Sequence, residues 1–138
     1  MGKIEAVPTF RMLDHVSDPI KAEIIKDVGD ISEVEVMYNY VLLGIYVRPE
    51  KTQSGLYLAD TTRKEDVYQG KTGLVLKVGP TAFVDGPDMD FAGQTVQVGD
   101  WIVLRPGDGW QVKVGKRDCR MVPDTSIKLK VPKPDMIY

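Results

Sequence analysis

The chain has 138 residues, enough for one domain with a real core and too few for two ordinary ones. Its 18 Lys and Arg against 20 Asp and Glu leave a net charge of -2, which supplies no broad positive field for nucleic acid. Cys119 is the single cysteine, which excludes an intrachain disulfide and a cysteine-based zinc site; MGKIEAVPTF lacks the apolar core of a signal peptide, and the longest apolar run, VLLGIYV, is far short of a membrane span, so a soluble cytoplasmic protein is expected.

The first clear element is SDPIKAEIIKDVGD, in which Ser17 or Asp18 can cap a helix, Pro19 suits its first turn and Gly29 its end. Ile20, Ile24 and Val28 then share one face, and a helix of about three turns needs a surface to pack on. The period changes in EVEVMYNYVLLGIYV, whose β-branched and aromatic residues predict a strand ended by Arg48-Pro49.

Next comes RPEKTQSGLYLADTTRKED, where the apolar triplet Leu56-Tyr57-Leu58 sits among charged and turn-forming residues. By itself it is compatible with a short buried strand or an exposed binding segment, and composition alone slightly favours the strand. GKTGLVLKVGP is a strand closed by a Gly-Pro break, and VQVGDWIVLRPGDGWQVKVGKRDCRMV holds two or three more strands around turns at Gly99-Asp100, residues 106–109 and Val114-Gly115. TAFVDGPDMDFAGQT between them is a turn-rich hairpin tip or loop, and the tail VPKPDMIY is expected to be extended. Short strands with regular glycine turns indicate a small barrel or sandwich.

Residues that carry chemistry are sparse. His15, the one histidine, has Asp14 and Asp18 nearby but no serine elbow, so a structural role is favoured over a hydrolytic triad. Asp85, Asp88 and Asp90 resemble a calcium loop only superficially, because counting from Asp88 places Ala92 and Gly99 where oxygen ligands are required; a solvated turn is the better reading. The pairs Gly99-Asp100 and Asp108-Gly109 supply turn geometry. Of the two tryptophans, Trp101 at a strand start and Trp110 after a tight turn, one is expected in the core and one at a loop tip. With no phosphate-binding glycine loop and no dinucleotide fingerprint, the chain reads as a binding protein rather than an enzyme, with no metal and no cofactor of its own.

Charge is unevenly placed. Asp14, Asp18, Glu23, Asp27, Asp30, Glu33 and Glu35 crowd the first third, and Lys113, Lys116, Arg117, Arg120, Lys128, Lys130 and Lys133 the end. Such asymmetry either steers head-to-tail contacts between copies or marks two solvated faces of one monomer.

Taken in order, NYVLLGIYVRPEKTQSGLYL, GKTGLVLKVGP, VQVGDWIVLRPGDGWQVKV and CRMVPDTSIKLKV resemble the GroES-like co-chaperonins, the lids of the bacterial chaperonin folding chamber. The resemblance implies an all-β fold, a small, partly open barrel over residues 37–131, preceded by an extension with one short helix at 1–36 and followed by a tail at 132–138. It also implies a heptameric ring joined through first and last strands, with a mobile loop at about 48–69 that reaches a GroEL-like chaperonin and a roof-like loop at about 81–97. Trp110 falls near an aromatic family position that faces the chamber.

On this resemblance the chaperonin contact falls on Ser54, Gly55, Leu56, Tyr57 and Leu58, and ATP is bound by the chaperonin partner. The physics agrees: polar flanks leave the triplet too little surface to order itself until a partner supplies a groove. Burying two leucines is worth about 3 to 6 kcal/mol, whereas coupled ordering costs about 2 to 5 kcal/mol. One loop binds weakly, and a ring of loops gains by effective concentration.

The chain departs from the family pattern in its long N-terminal extension, in Tyr57 where a smaller aliphatic is usual, and in its tail. The enlarged form resembles co-chaperonin relatives carried by bacteriophages, which admits an alternative: a virion structural or assembly protein that uses the helix and tail as docking arms on other phage proteins. The GroES-like domain of zinc alcohol dehydrogenases is disfavoured, since neither a dinucleotide-binding half nor a zinc-ligand cluster is present.

Overall fold

The computed structural model describes residues 18–47 and 72–134; the expectations for His15, for Ser54, Gly55, Leu56, Tyr57 and Leu58, and for the last four residues lie outside the described residues. Helix α1 (Pro19–Val28) is followed by strands β1 (Tyr40–Ile45), β2 (Thr72–Val78), β3 (Trp101–Val103), β4 (Trp110–Val114) and β5 (Arg117–Pro123). A single 3-10 turn (Asp124–Ser126) then leads into β6 (Leu129–Val131).

Helix α1 forms for the reasons its sequence suggests. Asp18 Oδ1 accepts from the N–H groups of Ile20 and Lys21, Pro19 occupies the first position, and Gly29 closes the helix at φ 74°, a conformation that costs glycine little. Ile24, Ile25 and Val28 are buried, and Ile20 packs at their margin.

The six strands form one antiparallel sheet in the order β4-β5-β1-β2-β3-β6. Its outermost strands do not pair with each other, so the sheet is open, as a partly open barrel requires. The alternation of side chains along the central strands sorts the core in two. Leu42, Leu74, Leu76, Trp101 and Cys119 pack under α1 with Ile31 and Val36, while Val41, Leu43, Val75, Ile102 and Val122 pack with Val96, Leu104, Phe83 and Ile127. Burial on both sides explains why β1 and β2 read as continuous apolar runs instead of alternating ones.

The first strand is shorter than expected. EVEVMYNYVLLGIYV was to be one strand, but the sheet takes only Tyr40–Ile45. Tyr38 adopts φ 58° and the Tyr40 N–H donates to Met37 C=O at 3.3 Å, so a turn separates β1 from residues 33–38. The N-terminal helix caps the barrel core, and β1 accommodates it through Gly44: a Cβ there would lie 2.6 Å from Ile24 Cγ2. After Val131 the chain bends through Pro132 and Lys133 and buries Pro134.

Candidate functional site

The expected partner-contact segment leaves the sheet from the end of β1 and returns at the start of β2. These two points are neighbours: the Tyr46 N–H donates to Thr72 C=O at 3.0 Å. Behind them Tyr46 meets the buried Trp101 edge to face, with ring centroids 6.0 Å apart.

Arg117, at the start of β5, ties α1 to this same end. Its guanidinium bonds Asp27 at 2.8 Å, lies 3.8 Å from the exposed Glu23, and donates to Ile45 C=O at 3.3 Å. The β4–β5 turn adds a second tie, in which the Lys116 N–H donates to Asp27 C=O at 2.9 Å. Gly115 in that turn has φ 59°, and any Cβ would strike the carbonyl oxygens of Asp27 and Val28. Helix, turn and strand end thus form one braced unit. Among the described residues, Thr72 Oγ1, Trp101 Nε1 and Arg117 Nε are buried there without a hydrogen-bond partner.

The opposite end of the core carries residues 81–97. Asp124, 4% exposed, holds this segment in place: its carboxylate accepts from Phe83 N–H at 2.9 Å and from Asn39 Nδ2 at 3.1 Å, while its own N–H donates to Asn39 C=O at 2.9 Å. Phe83 then stacks edge-on against Phe91, centroids 5.4 Å apart. Gly86 and Met89 pair across the tip, leaving Val84 and Met89 exposed.

The acidic residues of this tip are turn formers, as the sequence suggested. Asp85 Oδ1 accepts from Phe91 N–H at 2.7 Å and Asp90 Oδ1 from Ala92 N–H at 2.8 Å. Among the described residues no group of three or more His, Cys, Asp or Glu is placed to hold a metal ion.

The two Gly-Asp pairs behave likewise. Asp100 accepts from Gln97 N–H at 2.8 Å, and Asp108 grips Arg105 through both guanidinium and backbone, a contact that holds its carboxyl below the usual carboxylate range. Trp101 is in the core and Trp110 is 56% exposed, the division expected of them. Burial pushes the Cys119 thiol up to about 11, which makes it an inert core residue.

The sequence reading missed three charged residues inside the fold, Arg117, Arg120 and Asp124. Arg120 is 2% exposed, and burial lowers its pKa while Asp108 opposes that shift. Strand period alone would have flagged it, because Arg120 is two residues from the core residue Val122 on the same side of β5.

The sequence profile described as Chaperonin 10 Kd subunit matches residues 33–131, a span that includes all six strands. The chain belongs to the chaperonin 10 kDa subunit family. The chaperonin 10 kDa match leaves out α1, so the braced helix is an addition to the matched barrel. A curated relative in the same family, the Co-chaperonin GroES of Syntrophomonas wolfei subsp. wolfei, is 35% identical over 86 residues, which cover 62% of this chain and 82% of that protein. No helix among the described residues is long and apolar enough to cross a membrane.

Proposed function

We propose that this protein is a co-chaperonin that caps the folding chamber of a GroEL-like chaperonin as a ring, assisting folding driven by ATP bound to the chaperonin. The family match across residues 33–131 carries this reading. The ring, heptameric by resemblance, joins through first and last strands, and among the described residues β6 pairs on one side alone, with β3.

Ser54, Gly55, Leu56, Tyr57 and Leu58 make the chaperonin contact in this proposal. Support comes from the apolar triplet between polar flanks and from the closed strand pair at Tyr46 and Thr72, which presents the intervening residues from a fixed base. Each contact is weak, and the ring multiplies them into a closure that holds yet comes off.

Co-elution with a purified GroEL-like chaperonin tests the proposal. A complex is expected only with nucleotide present, and Leu56→Asp or Leu58→Asp should abolish it without altering the thermal transition. Absence of any nucleotide-dependent complex with the unaltered chain refutes the reading.

A further inference from the structure

The end of β1 is held from both sides, by different means. On the β2 side the pairing runs through Ile45 and Gly73 and closes with the Tyr46 N–H donating to Thr72 C=O at 3.0 Å. On the β5 side the ladder stops one residue earlier, at Gly44 and Cys119. There the Arg117 guanidinium takes the place of a strand donor and reaches Ile45 C=O at 3.3 Å.

Arg117 is in turn set by α1. The Asp27 carboxylate takes its guanidinium at 2.8 Å, and the Asp27 carbonyl takes the Lys116 N–H at 2.9 Å, so one helical residue fixes both the β4–β5 turn and the side chain that reaches β1. The family match begins at residue 33, so this hold depends on a residue outside the matched span.

Opposing groups are built into the same place. Among the described residues, Thr72 Oγ1, Trp101 Nε1 and Arg117 Nε are buried without hydrogen-bond partners, and all three belong to the residues that meet at this end of the sheet. Each regains water when the end opens, which lowers the cost of opening it. An ion pair and a carbonyl bond on one side, set against three polar atoms that gain by opening on the other, make the strand end a local two-state element.

We propose that α1 acts as a clamp on this element: docked on the barrel, it holds Ile45 and Tyr46 in strand geometry through Arg117 and thereby sets the strength of the chaperonin contact made beyond them. The inference rests on the chaperonin reading above and names the residues that regulate that contact. Arg117 is a positioning residue in it. Backbone already ordered in the free protein need not be ordered on binding, so the clamp moves part of the cost of association into folding.

Hydrogen exchange at the Tyr46 amide reads the clamp without any chaperonin, and the affinity of the nucleotide-dependent complex with a purified GroEL-like chaperonin reads its consequence. Arg117→Ala should speed Tyr46 exchange and weaken the complex, each about tenfold, the size expected from freeing one residue of backbone. Asp27→Asn keeps the shape and the carbonyl but removes the ion pair, and Arg117→Lys keeps the charge but not the fork; both should fall between Arg117→Ala and the unaltered chain. Thr72→Val removes a group that favours opening, so it should slow Tyr46 exchange and tighten the complex. Val122→Ala, a truncation in the core on the other side of the sheet, should speed exchange at Val75 while leaving Tyr46 exchange and the affinity unchanged.

Arg117→Ala with unchanged Tyr46 exchange, or with chaperonin affinity equal to that of the unaltered chain, would overturn the clamp. So would Val122→Ala weakening the complex as much as Arg117→Ala, because overall stability would then be the cause, and so would Thr72→Val acting in the same direction as Arg117→Ala. An unaltered chain that forms no nucleotide-dependent complex refutes the lid reading and the clamp together, whereas an unaltered chain that binds no better than its Arg117→Ala variant refutes the clamp alone.

Discussion

Arg117 joins Asp27 at 2.8 Å, and the same guanidinium reaches the carbonyl of Ile45, so one side chain binds an added helix to the strand from which the expected chaperonin-contact segment departs. Arg117 is 11% exposed and Asp27 29%, so water screens the pair only in part. Replacing Arg117 with Ala should lower stability by about 1 to 3 kcal/mol, read by denaturant unfolding. Lys in its place should recover only part, because a single ammonium cannot reproduce the fork that serves both a carboxylate and a carbonyl.

Gly44 and Ile24 report how closely α1 sits on β1. Gly44→Ala should cost about 1 to 3 kcal/mol by overpacking. In an Ile24→Ala background, where the opposing methyl is gone, the same substitution should cost clearly less. A double-mutant cycle measures the coupling, and equal costs in the two backgrounds would mean that helix and strand do not press together.

The buried hydroxyl of Thr72 finds no hydrogen-bond partner among the described residues and is 1% exposed. Its isosteric replacement Thr72→Val removes an unsatisfied polar group while keeping the shape. We expect stabilisation of about 1 kcal/mol, seen as a higher denaturation midpoint. A loss of stability would show that this hydroxyl has a partner.

Asp124 connects Asn39, the 81–97 segment and the last turn. Asp124→Ala should destabilise by about 1.5 to 3 kcal/mol, since charged acceptors make the stronger bonds and the Phe83 N–H would be left without one. Hydrogen exchange at Phe83 should speed up more than at core amides such as Val75.

Cys119 provides a pH-dependent test. Its folded pKa of about 11 lies above that of an exposed cysteine. Keeping the thiol neutral therefore favours the folded state, fully so below about pH 8.5, the unfolded value. That contribution is lost as pH rises through the folded value of about 11. At pH 8 a thiol reagent should modify the folded protein slowly and the unfolded protein at once.

The helix was legible in the sequence because its signals are local: Asp18, Pro19 and Gly29 each act within a turn of their own position. The strand run of EVEVMYNYVLLGIYV was overextended because propensity carries no mark of the turn at Tyr38, whose positive φ is unusual for an aromatic residue. Turn aspartates could be told from ligands by spacing. Arg117 and Asp124 could not be placed, because their partners lie far along the chain and meet them only after the sheet has assembled.

The bond between Tyr46 and Thr72 also bears on how such a protein changes over time. With the backbone closed at Tyr46 and Thr72, the entropy cost of joining these two points grows only slowly with the length of chain between them. Under the proposed function, substitution, lengthening or trimming there changes what the protein grips while leaving the frame at Tyr46 and Thr72 intact. A lineage can therefore retune its partner preference in one segment without renegotiating its fold.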